Sequence, residues 1–298
     1  GKEIDWLYIL ITVKTTAMIL YGIYVVFTVI EIIALLIAGM PLFDSMTLTF
    51  GTVGTGGFGL LNSSIASYST AVQIIITVFM IICSINFTVY YMFLIKRPKE
   101  ALMCEEMRYY LLIVFGSALL IAFNIRASFA SFGKAFQQAI FQVASVISTT
   151  GFATADFNLW PEFSRMILVL LMFVGACAGS TGGGFKVSRL IIMVKSVRNE
   201  IMSVTHPRSV QKVHMDGRRI PDNVVKTVLC YLAGYVVILI VSVLLISLDN
   251  FDMTTNFTAV MATFNNVGPG LNRVGPTGNF GGFSVLSKLV LMFDMLVG

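Results

Sequence analysis

The chain has 298 residues, of which 57% are hydrophobic and only 12% charged, with a mean hydropathy of +0.87. A soluble domain carries roughly 25% charged residues, so this composition excludes the soluble globular class and points to a membrane protein. The net charge of +5 gathers in two clusters, Lys96, Arg97, Lys99 and Arg108, then Lys186 through Lys226. Both follow an even number of crossings from the first apolar span, which is the positive-inside pattern and not the footprint of a nucleic-acid binder.

In chain order, stretches able to cross ~30 Å of hydrocarbon are expected at Met18–Ile37, Ala71–Ile95, Tyr109–Phe123, Met166–Val174 running on to Met193, Val224–Leu248 and Phe283–Val297. The first is too long, and lacks the small-residue exit, for a cleavable signal peptide. Glycine loops recur at Gly57, Gly151 and Gly268, at intervals of 94 and then 117 residues, which marks a long internal repeat. Each unit reads as outer helix, turn, short helix, glycine loop and inner helix.

In the first unit an outer helix from Lys14 to Ala38 is broken by Gly39-Met40-Pro41. A short helix at Phe43–Phe50, the loop Gly51–Gly59, a polar turn at Asn62–Ser69 and a continuous return helix at Ala71–Ile95 follow. The second unit repeats this with Tyr109–Phe123, Phe132–Ile147, the loop Ser148–Phe152, Thr154–Glu162 and an inner helix from Arg165 onward. The third has Val224–Leu248, Asp252–Phe264, the loop Asn265–Gly270, a Gly/Asn-rich segment Asn272–Gly282 and a final short helix. The corresponding divisions are residues 1–105, 106–200, a polar and basic cytoplasmic loop at 201–222, and 223–298. Arg126, Lys134 and Arg273 fall on the expected outer side and weaken the charge asymmetry without reversing it. The opening at Gly1 and the stop at Gly298 inside an apolar stretch read as a piece of something longer.

Bare backbone at membrane depth is tolerated only inside protein or along a water-filled path. Rings of main-chain carbonyls replace the hydration shell of a cation. Thr55-Gly56-Gly57, Thr149-Thr150-Gly151 and Asn266-Val267-Gly268 are the candidate carbonyl donors, and no acidic side chain stands among them. That favours a dehydrated monovalent ion over calcium, which prefers several carboxylate oxygens. A short helix ending at each loop would present the negative end of its dipole, roughly half a charge, to that ion.

Gly175-Ala176-Cys177-Ala178-Gly179-Ser180-Thr181-Gly182-Gly183-Gly184 interrupts the second inner helix, since each glycine costs about 1 kcal/mol relative to alanine in a helix. It is the candidate gate, with Lys186 directly after it. At ~8 Å and an effective dielectric of 20 the lysine would repel a permeating cation by about 2 kcal/mol. A packing kink with Lys186 snorkelling to the interface is the plainer alternative.

Weaker signals are set aside on context. Gly54 through Gly59 satisfies G-x-G-x-x-G, and Gly182 through Lys186 is rich in glycine, but neither has the strand–helix setting or spacing of a nucleotide site. Cys83, Cys104, Cys177 and Cys230 are unpaired in spacing and read as small hydrophobes. His206 and His214 stand in the basic loop without companion ligands. Glu31 and Asp294 lie in apolar spans and are functional candidates by that fact. For Glu31, near the outer end of its helix, a solvated or helix-pairing role competes; for Asp294, a pore or a subunit contact. Asn62-Ser63-Ser64 and Asn256-Phe257-Thr258 match the glycosylation pattern, a signal whose weight depends on the source of the chain. No nucleophile–base pair is evident, so an enzyme is not expected.

Three motifs in this order are specific: Ser148-Thr149-Thr150-Gly151-Phe152-Ala153-Thr154, Gly175 through Lys186, and Asn265-Asn266-Val267-Gly268-Pro269-Gly270. With them the chain resembles the Trk/Ktr/HKT superfamily of potassium transporters, most closely the Trk-type membrane subunit, over nearly its whole length. The resemblance implies an all-α membrane fold in which four helix–pore-loop–helix repeats surround one ion path. The chain would supply the second to fourth repeats, with the first and the end of the last helix missing. It implies that carbonyls beside Gly57, Gly151 and Gly268 hold potassium as the transported ion, with no organic cofactor and no other metal. It implies a gate at Gly175–Lys186, and a channel-like or symporter path in the inner membrane of a bacterium. The expected partners are a second copy of the chain, membrane lipid and a cytosolic nucleotide-binding regulatory subunit. A sodium or mixed sodium/potassium conductor would share the architecture, and a non-conducting membrane scaffold or receptor is the rival from another class.

Overall fold

A computed structural model describes residues 6–205 and 212–298, with side chains from Ala17 onward. His206, Pro207 and Arg208 lie outside the described residues. The apolar runs fold as helices, and the breaks fall where proline, glycine or a capping side chain ends them. α1 (Trp6–Ile37) stops before Gly39, whose φ is +86°. α2 (Leu42–Val53) starts directly after Pro41. α3 (Thr70–Cys83) is capped by the Ser69 hydroxyl, which accepts from Val72 N–H, and α4 (Phe87–Leu94) by the Asn86 amide oxygen. A short α5 (Pro98–Met103) leads to the second unit: α6 (Glu105–Ile125), α7 (Phe132–Ile147), α8 (Glu162–Val174) and α9 (Val187–Thr205). A two-stranded hairpin, β1 (His214–Met215) with β2 (Arg218–Arg219), occupies the basic loop. The third unit is α10 (Asp222–Ile246), α11 (Met253–Phe264) and α12 (Val285–Val297).

Among the described residues three helices are long and apolar enough to cross a membrane alone: Ala17–Ile37, Glu105–Ser128 and Asp222–Asp249. Their outward faces stay apolar and uncovered, as with Val25, Val29 and Ile33 on α1 and Val237, Val241 and Leu244 on α10, which is the surface lipid requires. The chain is an all-α membrane protein.

One expectation is corrected. The return helix Ala71–Ile95 is not continuous: α3 and α4 meet at 86° across Ser84-Ile85-Asn86. No glycine or proline causes this break. The freed backbone groups bond instead to the glycine loop of the second unit, where Ser84 O accepts from Cys177 N (3.0 Å) and Phe87 N donates to Gly179 O (3.0 Å).

The units pack through α7. Its Phe141 and Ala144 join Leu35, Leu48, Ile76 and Met80 of the first unit in one buried cluster, while Ala139, Val143 and Val146 face the core of the second. An aromatic column ties the third unit on, with Phe173 stacked on Phe185 at 5.0 Å and Tyr235 edge-on to Phe264 at 4.5 Å.

A candidate ion path built from three glycine loops

Each short helix ends four residues before its glycine: α2 at Val53 before Gly57, α7 at Ile147 before Gly151, and α11 at Phe264 before Gly268. The loops then repeat one backbone signature. The residue two before each glycine has a left-handed φ (Thr55 +51°, Thr149 +60°, Asn266 +54°), as has the glycine itself (+66°, +85° and +102°). A non-glycine residue there is uncommon and has to be held by its surroundings.

What holds it is the last turn of the short helix. Gly56 N and Gly57 N both donate to Gly51 O (2.8 and 3.1 Å), Thr150 N and Gly151 N to Ser145 O (3.0 and 3.3 Å), and Val267 N to Ala262 O (2.8 Å). The acceptor stands six residues before the glycine in all three units, and it is small each time: Gly51, Ser145, Ala262. With the amides turned back to the helix, the loops' carbonyls are the polar groups left over.

The loops touch one another in chain order. A Cβ on Gly57 would overlap the Thr150 carbonyl oxygen, and one on Gly151 would overlap the Val267 carbonyl oxygen and stand 3.1 Å from Pro269 Cδ. Gly51 is also a close approach, since a Cβ there would lie 3.0 Å from the ring of Phe152. A cavity of about 700 Å³ opens beside Gly56, Gly57, Thr150, Gly151, Asn266, Val267 and Gly268, walled on its other side by Leu291, Met292 and Met295 of α12. Seven of the nine residues named from the sequence therefore line one cavity, while Thr55 and Thr149 turn their hydroxyls to the glycine-rich interruption.

The glycine-rich interruption lies against the same three loops. Gly183 N donates to the Thr149 hydroxyl (2.7 Å), and a Cβ on Gly183 would be 2.9 Å from Asn265 O. A Cβ on Gly182 would be 2.8 Å from Ser148 O. Thr55 Oγ1 donates to Thr181 O (3.0 Å), and Thr181 Oγ1 to Cys83 O (3.2 Å). Ser180 turns back to Cys177 O (2.7 Å). Gly175 and Gly184 form the neck, where a Cβ on Gly184 would stand 2.7 Å from Gly175 Cα. Gly179, at φ +68°, lies against the Asn86 side chain. Lys186, at φ +82°, folds its ammonium back to donate to Gly182 O and does not reach away from the loop.

Two acidic residues are placed more narrowly than their sequence allows. Glu31 is fully buried, with both carboxylate oxygens unpartnered, so the solvated reading is excluded. Asp294 is fully buried and accepts from Ser242 Oγ at 2.7 Å, making an α10–α12 contact within the chain. Glu106, Asn86 and Ser84 carry contacts to the glycine-rich loop that the sequence does not announce. The recurrence of a small residue six positions before each glycine was the readable signal for the helix–loop joint.

At the outer end of α11, Asp252 accepts from Thr255 N (3.0 Å) and from its hydroxyl (2.5 Å), and from Asn272 Nδ2 (2.7 Å). These bonds, that of the Thr255 hydroxyl foremost, hold its carboxyl below the usual 3.8. A depressed folded value means that the contribution is present above the usual value and lost as pH falls through the folded one. Thermal unfolding followed below pH 4 is therefore expected to show a destabilisation that Asp252→Asn reduces; an identical acid limb in the variant would count against the cap.

The cation transport protein family model, TrkH, matches residues 7–298. The Trk system potassium uptake protein TrkH of Salmonella typhimurium is 33% identical over 293 residues, covering 96% of this chain and 60% of the relative. TrkG of Escherichia coli is 29% identical over 265 residues, covering 88% and 54%. The crystal structure of the potassium transporter TrkH from Vibrio parahaemolyticus superposes with a TM-score of 0.87 at 33% identity, over 96% of this chain and 62% of that one. The chain spans about 60% of the length of these TrkH relatives.

Proposed function

Because the chain belongs to the TrkH family of cation transport proteins, we propose that it forms most of a potassium uptake path across a bacterial inner membrane. The observation that carries this reading is the shared handedness of the three loops. Gly56, Gly57, Thr150, Gly151 and Val267 commit their amides to the short helices, and Gly57 and Gly151 abut the neighbouring loop's carbonyls, so a desolvated cation beside them meets mainly oxygen. Thr55, Gly56, Gly57, Thr149, Thr150, Gly151, Asn266, Val267 and Gly268 are the proposed ion-lining residues. Three helix C-termini ending at the loops add negative potential without a fixed carboxylate, which suits a monovalent ion that must also leave. The chemistry is passage of an ion; no bond is made or broken, and the family is one of transporters, not enzymes.

The loop from Gly175 to Lys186 is the proposed gate, because it is bonded to two of the glycine loops, packs against the third at Asn265 O, and has its backbone held by hydrogen bonds instead of a helix. A second copy of the chain and a cytosolic nucleotide-binding regulator at the basic hairpin are further proposals, resting on the family resemblance.

Uptake by the full-length protein in a host lacking other potassium uptake tests the reading. Labelled potassium entry is expected to be competed by rubidium far better than by sodium. Equal competition by sodium would replace this reading with the mixed conductor, and absence of any uptake at normal protein level would favour the scaffold.

A further inference from the structure

Glutamates in the first turn of a helix are ordinary, since they complement the helix dipole. Glu105 and Glu106 open α6 in that way, yet Glu106 is only 3% exposed. Its Oε1 accepts from two backbone amides, Ala178 N at 2.7 Å and Ser188 N at 3.1 Å, and its Oε2 from Asn86 Nδ2 at 3.4 Å. Ala178 lies inside the glycine-rich loop and Ser188 in the first turn of α9, so one carboxylate holds the loop and the start of the helix that follows it. Asn86 is the residue at which the first unit's return helix breaks, and its other amide atom caps α4 through Thr88 N (2.9 Å).

The position is unusual because a buried carboxylate needs charge-assisted partners, and here all three come from segments that would have to separate if the loop moved. The loop's remaining ties to the first unit and the glycine loops are neutral bonds: Cys177 N to Ser84 O, Phe87 N to Gly179 O, Thr181 Oγ1 to Cys83 O, Thr55 Oγ1 to Thr181 O and Gly183 N to Thr149 Oγ1. The same end of α6 is fastened to the basic hairpin, where Glu105 N donates to Asp216 Oδ1 (2.7 Å) and the Glu105 side chain pairs with Lys195.

We propose that Glu106 is the latch of the glycine-rich loop: its carboxylate fixes the loop at Ala178, and the start of α9 that follows it, against Asn86, and opening requires Ala178 and Ser188 to leave it. This rests on the reading of that loop as the gate. A group that merely supports the fold would, when weakened, lower activity. A latch, when weakened, raises it.

The test uses full-length protein in proteoliposomes, with rubidium flux as one readout. The other is the rate at which a membrane-impermeant thiol reagent modifies Ser180→Cys in a background without the native cysteines. Glu106→Gln keeps size and one acceptor but loses the charge. Asn86→Asp keeps the cap on Thr88 and sets a second carboxylate against Glu106. Both are expected to raise basal flux and the labelling rate together, by about tenfold, as when charge-assisted bonds are lost from one state of a two-state element. If Glu106→Gln fails to assemble, Asn86→Asp decides. If Lys186→Ala raises flux while both variants leave flux and labelling unchanged or reduced, the latch alone is overturned. If none of the three alters flux, the gate reading falls with it.

Discussion

Gly151→Ala is expected to lower potassium uptake by about two orders of magnitude at unchanged protein level, and Gly57→Ala to match it. Two costs add at these positions. A left-handed φ, +85° at Gly151 and +66° at Gly57, costs an L residue roughly 1–2 kcal/mol. The new Cβ also overlaps a main-chain oxygen of the next loop, Val267 O or Thr150 O. Forcing tightly packed atoms apart costs typically 1–3 kcal/mol. A total of ~3 kcal/mol is a factor of about 100 in the occupancy of the correct loop geometry.

The same argument predicts a gradient that a general loss of fold would not produce. Gly268, at φ +102°, carries the same left-handed strain, so Gly268→Ala is expected to lower uptake by about tenfold or more from that strain of roughly 1–2 kcal/mol. Gly116 lies within α6 with open space at its Cβ position, and Gly116→Ala should leave transport intact while gaining up to about 1 kcal/mol of helix propensity. Uptake of labelled potassium, normalised to protein in the membrane, measures all four. A loss in Gly116→Ala as large as that in Gly151→Ala would make the effect a general loss of fold, and full activity in Gly151→Ala would remove the loops from the path.

These loops were legible in the sequence because their signal is local. A glycine forced by φ, a short amphipathic run before it and an apolar run after it are all encoded within about twenty residues, and the three copies reinforce one another. The break between α3 and α4 was not legible for the opposite reason. Ser84-Ile85-Asn86 sits in an apolar run without proline or glycine, and the helix opens there because Cys177 and Gly179, almost a hundred residues later in the chain, supply the bonds that a straight helix would have made internally. Glu106 was hidden by looking like a routine helix-start acid. Its burial depends on three segments distant in sequence, Asn86 included. Glu31 shows the limit from the other side: its place in an apolar span marked it, but only packing decides that it is buried and not solvated.

Lys186→Ala is expected to raise flux by up to about 30-fold, through charge and not through relaxation of the backbone. Removing one positive charge ~8 Å from a permeating cation lifts a repulsion of about 2 kcal/mol at an effective dielectric of 20. The ammonium is held on Gly182 O, and Gly182 lies close to Ser148 O, so the charge stays beside the proposed path. Lys186 also carries a left-handed φ of +82°, a conformation that is costly for lysine and alanine alike and cheap for glycine. Three substitutions therefore separate the two contributions. Lys186→Arg retains charge and strain and should stay near the parent rate. Lys186→Ala removes charge and keeps strain. Lys186→Gly removes both, and a rate close to that of Lys186→Ala identifies electrostatics as the barrier. A rate raised by Lys186→Gly but not by Lys186→Ala would assign the barrier to loop strain, and the lysine would then be a positioning residue whose charge the ion never feels.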